Sequence, residues 1–106
     1  MSDLSVTLVL PAYNEEQTIG GTIESFHQYI PHAEYLIVDN NSNDRTSEIA
    51  KRTMEELGIK NGRVIRENRQ GKGFAMRRAF MEVKTDIIVK YRKVLKITET
   101  HFLSLI

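Results

Sequence analysis

Cysteine is absent from this 106-residue chain. That one absence excludes disulfides, zinc–thiolate sites and thiol nucleophiles together. Histidine is scarce: His27, His32 and His101 have no metal-ligand spacing, and the first two flank a helix end where surface positions are expected. No apolar run approaches the roughly 18–20 residues of a bilayer span, so no transmembrane helix is expected. The first ten residues hold neither a basic stretch nor a long apolar segment, so no secretory signal is expected there.

What is present suits a folded core. Apolar residues make up 41% and charged residues 27%, unlike a disordered tail, and 12.2 kDa fits one domain or part of one. The net charge of +1 conceals an asymmetry: residues 1–62 carry 4 basic and 10 acidic side chains, whereas residues 63–96 carry 11 and 3. A basic second half can meet phosphate, nucleic acid or an acidic surface; solvated lysine and arginine on helix faces is the plainer reading.

Short apolar runs alternate with amphipathic stretches. Leu4 to Leu10 reads as a strand closed by Pro11. Ile19, Ile23, Phe26 and Ile30 then recur at spacings of 4, 3 and 4, one face of a helix over about 16–30, with Asn14 and Gln17 as a capping pair and Pro31 as the stop. Glu34–Asp39 is a second strand. Thr46–Leu57 is a second helix with Ile49, Ala50, Met54 and Leu57 inward and Gly58 at its C-cap. Arg63–Glu67 is a third strand, and Phe74–Lys84 a third helix in which Ala75, Met76, Ala79, Phe80 and Val83 are apolar, with Met76 and Met81 as core filler. Asp86–Tyr91 is a fourth strand. The order β-α-β-α-β-α-β predicts an α/β fold, a Rossmann-like parallel sheet with flanking helices and right-handed crossovers.

In such a sheet, ligands sit beyond the carboxyl ends of the strands. Three loops leave those ends. In the first, Pro11 sets the exit of the strand, Tyr13 offers an aromatic face for a base, and Glu15 lies by a helix start where its charge is favoured. Helix capping with a surface tyrosine would use the same residues. In the second, Asp39 ends an apolar strand and needs a partner such as a base N–H or a ribose hydroxyl, and Asn40 can donate and accept. An Asx-turn with a cap from Asp44 or Thr46 competes with that reading. In the third, Asn68-Arg69-Gln70-Gly71-Lys72-Gly73 joins glycines that admit close approach to a helix start that attracts phosphate, with Lys72, Arg69 and Arg77 adding charge. It has neither Walker A nor G-x-G-x-x-G spacing. A phospho-acceptor receiver domain is excluded by Leu10-Pro11 and Glu67-Asn68, where it needs acids and an acceptor aspartate.

The stretches LVLPAYNEEQTI, YLIVDNNSNDRT and ENRQGKGFAMRRAF, in that order, resemble the N-terminal half of the family 2 glycosyltransferases, nearest the dolichol-phosphate mannose synthase branch. The resemblance covers about Val6 to Val89. It implies a GT-A fold and a UDP- or GDP-sugar donor, with Pro11, Tyr13 and Glu15 by the nucleoside, Asp39 and Asn40 at base or ribose, and Gly71 and Lys72 near the diphosphate. Asn40 stands where many members have a second acid. The family's D-x-D metal motif, expected after the fourth strand, is replaced by Lys90-Tyr91-Arg92-Lys93. The resemblance therefore implies Mg2+ or Mn2+ in a full-length relative but no metal and no catalytic residue on this chain. It further implies a polyprenyl phosphate or glycan acceptor in full-length relatives, no nucleic acid partner, and a cytoplasmic setting or one at the periphery of a membrane. The expected organisation is a nucleotide-sugar-binding half-domain over 1–91 and a tail over 92–106, with truncation as the simplest account. Such a half-sheet would leave an open edge at its fourth strand, a place for self-association. A non-catalytic nucleotide-binding module or an inactive fragment is the alternative.

Overall fold

A computed structural model describes residues 5–90. The proposed tail, Tyr91 as the end of the fourth strand and Leu4 as the start of the first lie outside the described residues. In chain order the elements are β1 (Val6–Ala12), α1 (Ile19–Tyr29), β2 (Glu34–Asp39), α2 (Thr46–Glu56), β3 (Gly62–Arg66), α3 (Lys72–Glu82) and β4 (Ile87–Lys90). All strand pairs are parallel and the order is β3-β2-β1-β4.

That order follows from where the helices pack. From β1 the chain steps outward to β2 and β3, so right-handed crossovers put α1 and α2 on one face of the sheet. It then crosses back over two strands to β4, which puts α3 on the other face. Two buried clusters record the two faces. Leu8, Leu10, Tyr35, Ile37 and Val89 pack with Ile23, Phe26 and Met54 of α1 and α2. Val9, Leu36 and Val38 pack with Ala75 and Ala79 of α3, whose small side chains let that helix lie close to the sheet. Central strands buried on both faces are apolar without a break, as the runs in the sequence are.

Several expectations shift. Pro11 lies inside β1, opposite Val38, and does not close the strand. Ala12 accepts the Asn40 amide on the β2 side, so by alternation the N–H that Pro11 lacks would have pointed to the β4 side. There the described pairing with β4 runs as far as Val9 and Lys90. Asn14 does not cap α1. It adopts φ 49°, and its Oδ1 accepts the Asn43 N–H at 2.8 Å, so the helix begins only at Ile19. Met81, expected as core filler, is 72% exposed, and the neighbouring Phe80 is 59% exposed. The α2 terminus is as expected: Gly58 at φ 73° donates to Glu55 O and Ile59 donates to Met54 O, a Schellman pair.

Candidate functional site

Ala12, Asp39 and Arg66 end their strands at one edge of the sheet, and the three loops leave from there. Strand order reverses at β1, which has β2 on one side and β4 on the other, so the loop after β1 stands at the switch point.

The first two loops are zipped together by local polar chemistry. Asn14 N–H donates to Ser42 Oγ at 2.8 Å, Glu15 N–H to Thr46 Oγ1 at 2.8 Å, and Glu16 N–H to Asp44 Oδ2 at 3.2 Å. In return Asn43 N–H donates to Asn14 Oδ1 and Arg45 N–H to Glu16 Oε1. Asp44 also accepts from the backbone and hydroxyl of Thr46, so it closes the α2 entrance. Those bonds hold its carboxyl below the usual carboxylate range against a desolvation that acts the other way.

Asp39 and Asn40 diverge to opposite faces of the sheet. Asp39 is 1% exposed. Its Oδ1 accepts Ser42 N–H at 2.9 Å, while its Oδ2 accepts the Ser47 hydroxyl and faces Arg66 Nη1 at 3.4 Å. Asn40, also buried, reaches the third loop. Its Nδ2 donates to Glu67 O at 3.1 Å and Arg69 O at 2.7 Å, and its Oδ1 accepts Gly71 N–H at 2.9 Å. Both side chains had been expected against base or ribose. Here their polar atoms are engaged within the protein, and they shape the loops that surround them.

Gly71 sits at φ 136°, where any other residue is strained, and no side chain caps α3 behind it. Tyr13 is 43% exposed and Lys72 is exposed, and neither has a side-chain partner among the described residues. Pro11 and Glu15 are half-buried beside them in the chain. The edge thus presents an unheld tyrosine and an unheld lysine on loops that are tied to one another through the second loop. Arg69, expected to add charge, is instead neutralised: its Nε and Nη2 lie 3.0 and 3.2 Å from the buried Glu67 carboxylate, and its guanidinium stacks 4.7 Å over Phe74. The side-chain and backbone hydrogen bonds from Arg69 pull the Glu67 carboxyl down to about 2.

Arg66 and Glu67 were missed by sequence reasoning. Arg66 donates to Asn68 Oδ1, Asn41 Oδ1 and Ser42 O and meets Asp39, so one side chain binds the second loop to the end of β3. The signal is positional: Arg66 is the cross-strand partner of Asp39, which only the register reveals. Asp86 lies at the opposite edge, where it accepts from the backbone and hydroxyl of Ser5. A shallow cleft of about 220 Å³ lined by Thr7, Glu34, Lys60 and Arg63 opens at that same amino-terminal edge, away from the three loops.

A family model described as Glycosyl transferase family 2 matches residues 7–90. The chain belongs to glycosyl transferase family 2. Protein RfbJ of Shigella flexneri is 33% identical over 86 residues, 78% of this chain and 59% of that protein. The family 2 fold is matched by mannosyltransferase PcManGT of Pyrobaculum calidifontis, solved with GDP-Man and Mn2+. The TM-score is 0.75 at 25% identity, over 84% of this chain and 27% of the other. Glucosyl-3-phosphoglycerate synthase of Mycobacterium tuberculosis, solved with Mn2+, UDP-Glc and phosphoglyceric acid, gives a TM-score of 0.66 at 29% identity, over 81% of this chain and 32% of the other. This chain spans less than two thirds of each of these relatives.

Both solved relatives hold Mn2+. Among the described residues of this family 2 chain, no group of three or more His, Asp or Glu side chains could hold a metal ion. The acids nearest the edge are already engaged, Asp39 by Ser42, Ser47 and Arg66, Asp44 by Thr46 and Glu16, and Glu67 by Arg69. The described residues do not fit a donor metal.

Proposed function

We propose that residues 5–90 are the donor-binding part of a glycosyltransferase, and that the donor is a UDP- or GDP-linked sugar. The observation that carries this reading is the cross-linked set of three loops at the carboxyl edge, with Tyr13 and Lys72 left unheld and an uncapped glycine-led helix start between them and the third loop's body. In this reading the Tyr13 ring packs on the base, with Pro11 and Glu15 lining the same wall. The Gly71 bend brings the first N–H groups of α3 to the diphosphate, and Lys72 offsets its charge. Asp39 and Asn40 act one step back, holding the second and third loops in place. The nucleotides in the two solved relatives support this choice of donor.

The transfer itself belongs to the whole protein as it occurs in the family. Its acceptor is proposed to be a polyprenyl phosphate or a glycan, in line with the dolichol-phosphate mannose synthase-like motifs, and no described residue is assigned to it. A non-catalytic nucleotide-binding module is the second reading, and membership of a transferase family weighs against it. Calorimetric titration with UDP, GDP and their sugars, with and without Mn2+, tests the proposal. Saturable binding weakened about tenfold by Tyr13→Ala, consistent with a lost stacking contact of 1–3 kcal/mol, is expected. Absence of binding to all four nucleotide ligands, or binding indifferent to both Tyr13→Ala and Lys72→Ala, would sink it. Binding without donor turnover in any acceptor mixture would favour the module.

A further inference from the structure

The outward side of α3 has the wrong composition for a face turned to water. The helix buries Ala75 and Ala79 against the sheet, with Met76 and Val83 packed at the margin. At 100° per residue, Phe74, Arg77, Phe80 and Met81 fall on one arc opposite that buried side. The three apolar members are 39%, 59% and 72% exposed. An amphipathic helix of a water-soluble domain carries polar residues there, and large apolar side chains grouped on one exposed face point to an interaction site. The arc holds no acid. The single acid of α3, Glu82, is turned to Arg63 and Arg78. Arg77 is exposed and has no hydrogen bond or ion pair among the described residues, and the same holds for Lys72 at the first residue of the helix and Lys84 just past its end.

We propose that this face of α3 docks the protein on an anionic lipid surface. Three features favour lipid over other partners. First, among the described residues α3 is the outer layer over its face of the sheet, so covering its far side with more of the same domain would need a fourth layer, where domains build two or three. Second, a two-fold contact between copies through this arc would bring Arg77 against its own counterpart, with no acid to compensate. Third, large apolar side chains interleaved with unpaired cations match a bilayer surface: Phe80 and Met81 enter the acyl boundary while Arg77 and Lys84 stay among phosphate headgroups. The helix would lie flat on the membrane, with its Gly71 end and the candidate donor edge at headgroup height. The proposal stands on α3 alone and does not depend on the donor reading.

Co-sedimentation of the full chain with phosphatidylcholine vesicles, with and without phosphatidylglycerol, tests it. Binding is expected only to the anionic vesicles and should fall as salt is raised. Each of Arg77→Gln and Lys84→Gln should weaken it about fivefold, the equivalent of about 1 kcal/mol per cation at such a surface. Phe80→Ser combined with Met81→Ser should weaken it more than tenfold while circular dichroism shows unchanged helix content, because neither side chain is in the core. Failure to bind anionic vesicles would overturn the proposal. So would binding that the α3 variants leave unchanged, which would assign the lipid contact elsewhere in the chain. Loss of a sedimenting dimer in the Phe80/Met81 variant, with vesicle binding intact, would assign the face to a second copy instead.

Discussion

Replacing Asn40 by aspartate changes one atom type in the middle of the candidate site and tests how that site is held. In the native arrangement the Asn40 amide donates to Glu67 O at 3.1 Å and to Arg69 O at 2.7 Å while its oxygen takes the Gly71 N–H at 2.9 Å. In Asn40→Asp the accepting oxygen can stay, but the donor becomes a carboxylate oxygen facing two carbonyl oxygens. Two bonds are lost and two acceptors are left without their donor. At about 1–3 kcal/mol for each acceptor stranded in this way, the expected cost is about 2–6 kcal/mol, with the upper end reached only if the third loop cannot swing away. Release of the loop would cap the loss and would expose the Gly71 amide. The pH dependence carries a sign. Carbonyl oxygens favour a protonated neighbour that can donate, so the introduced carboxyl has a folded-state pKa above its unfolded value. The deficit relative to native protein should therefore be small below the unfolded pKa of about 3.9, grow as the pH rises, and level off above the folded value. Urea unfolding of both proteins between pH 4 and 8, with hydrogen exchange at Gly71, measures it. Equal midpoints at pH 7 together with unchanged protection of the Gly71 amide would refute the reasoning.

Glu67 gives a second pH test. Its carboxyl is depressed from the ordinary 4.5 to about 2, so the stability it supplies is present above pH 4.5 and is lost as the pH falls towards 2. Native protein should lose midpoint across that window, and Glu67→Gln should show a flatter acid limb; parallel limbs would count against it. A methyl at Gly62 would lie 2.4 Å from Met54 Sδ and 3.1 Å from Ile59 Cγ2, so Gly62→Ala should destabilise by about 1–3 kcal/mol through overpacking, read by thermal unfolding. Gly58→Ala meets no atom but must hold φ 73°, so about 1 kcal/mol is expected from backbone strain alone, and a larger loss there than at Gly62 would reverse the argument. The outer side of β4 is unpaired among the described residues, and self-association through it is expected in concentrated protein; a clean monomer by sedimentation would exclude it.

The layout of strands and helices was legible because burial on both faces leaves a direct mark. Leu8 to Leu10 and Tyr35 to Val38 are apolar without interruption, and only a parallel interior strand needs that pattern. The spacing of Ile19, Ile23 and Phe26 likewise foretold the buried side of α1. Boundaries were less legible. Pro11 reads locally as a stop, yet whether a missing N–H matters depends on which neighbour it would have faced. Phe80 reads as core by its chemistry, yet α3 is placed by Ala75 and Ala79, and the helix can present only one side to the sheet.

The site divides in the same way. The residue types at the carboxyl edge, an aromatic, acids, a glycine bend and a lysine, are set by the order of amino acids, and so is the family that they mark. Which of them remain open to a ligand was decided in three dimensions. Asp39 and Asn40 are neighbours in the chain, but a strand sends successive side chains to opposite faces, so one meets Ser47 and Arg66 and the other the Gly71 loop. Arg69 and Lys72 are equal charges on paper, but only Arg69 lies within reach of the buried Glu67. Sequence determines which chemical groups exist and how often they recur along each element; tertiary structure determines which are consumed by one another, because hydrogen bonds and ion pairs depend on separations of about 3 Å that no linear spacing encodes.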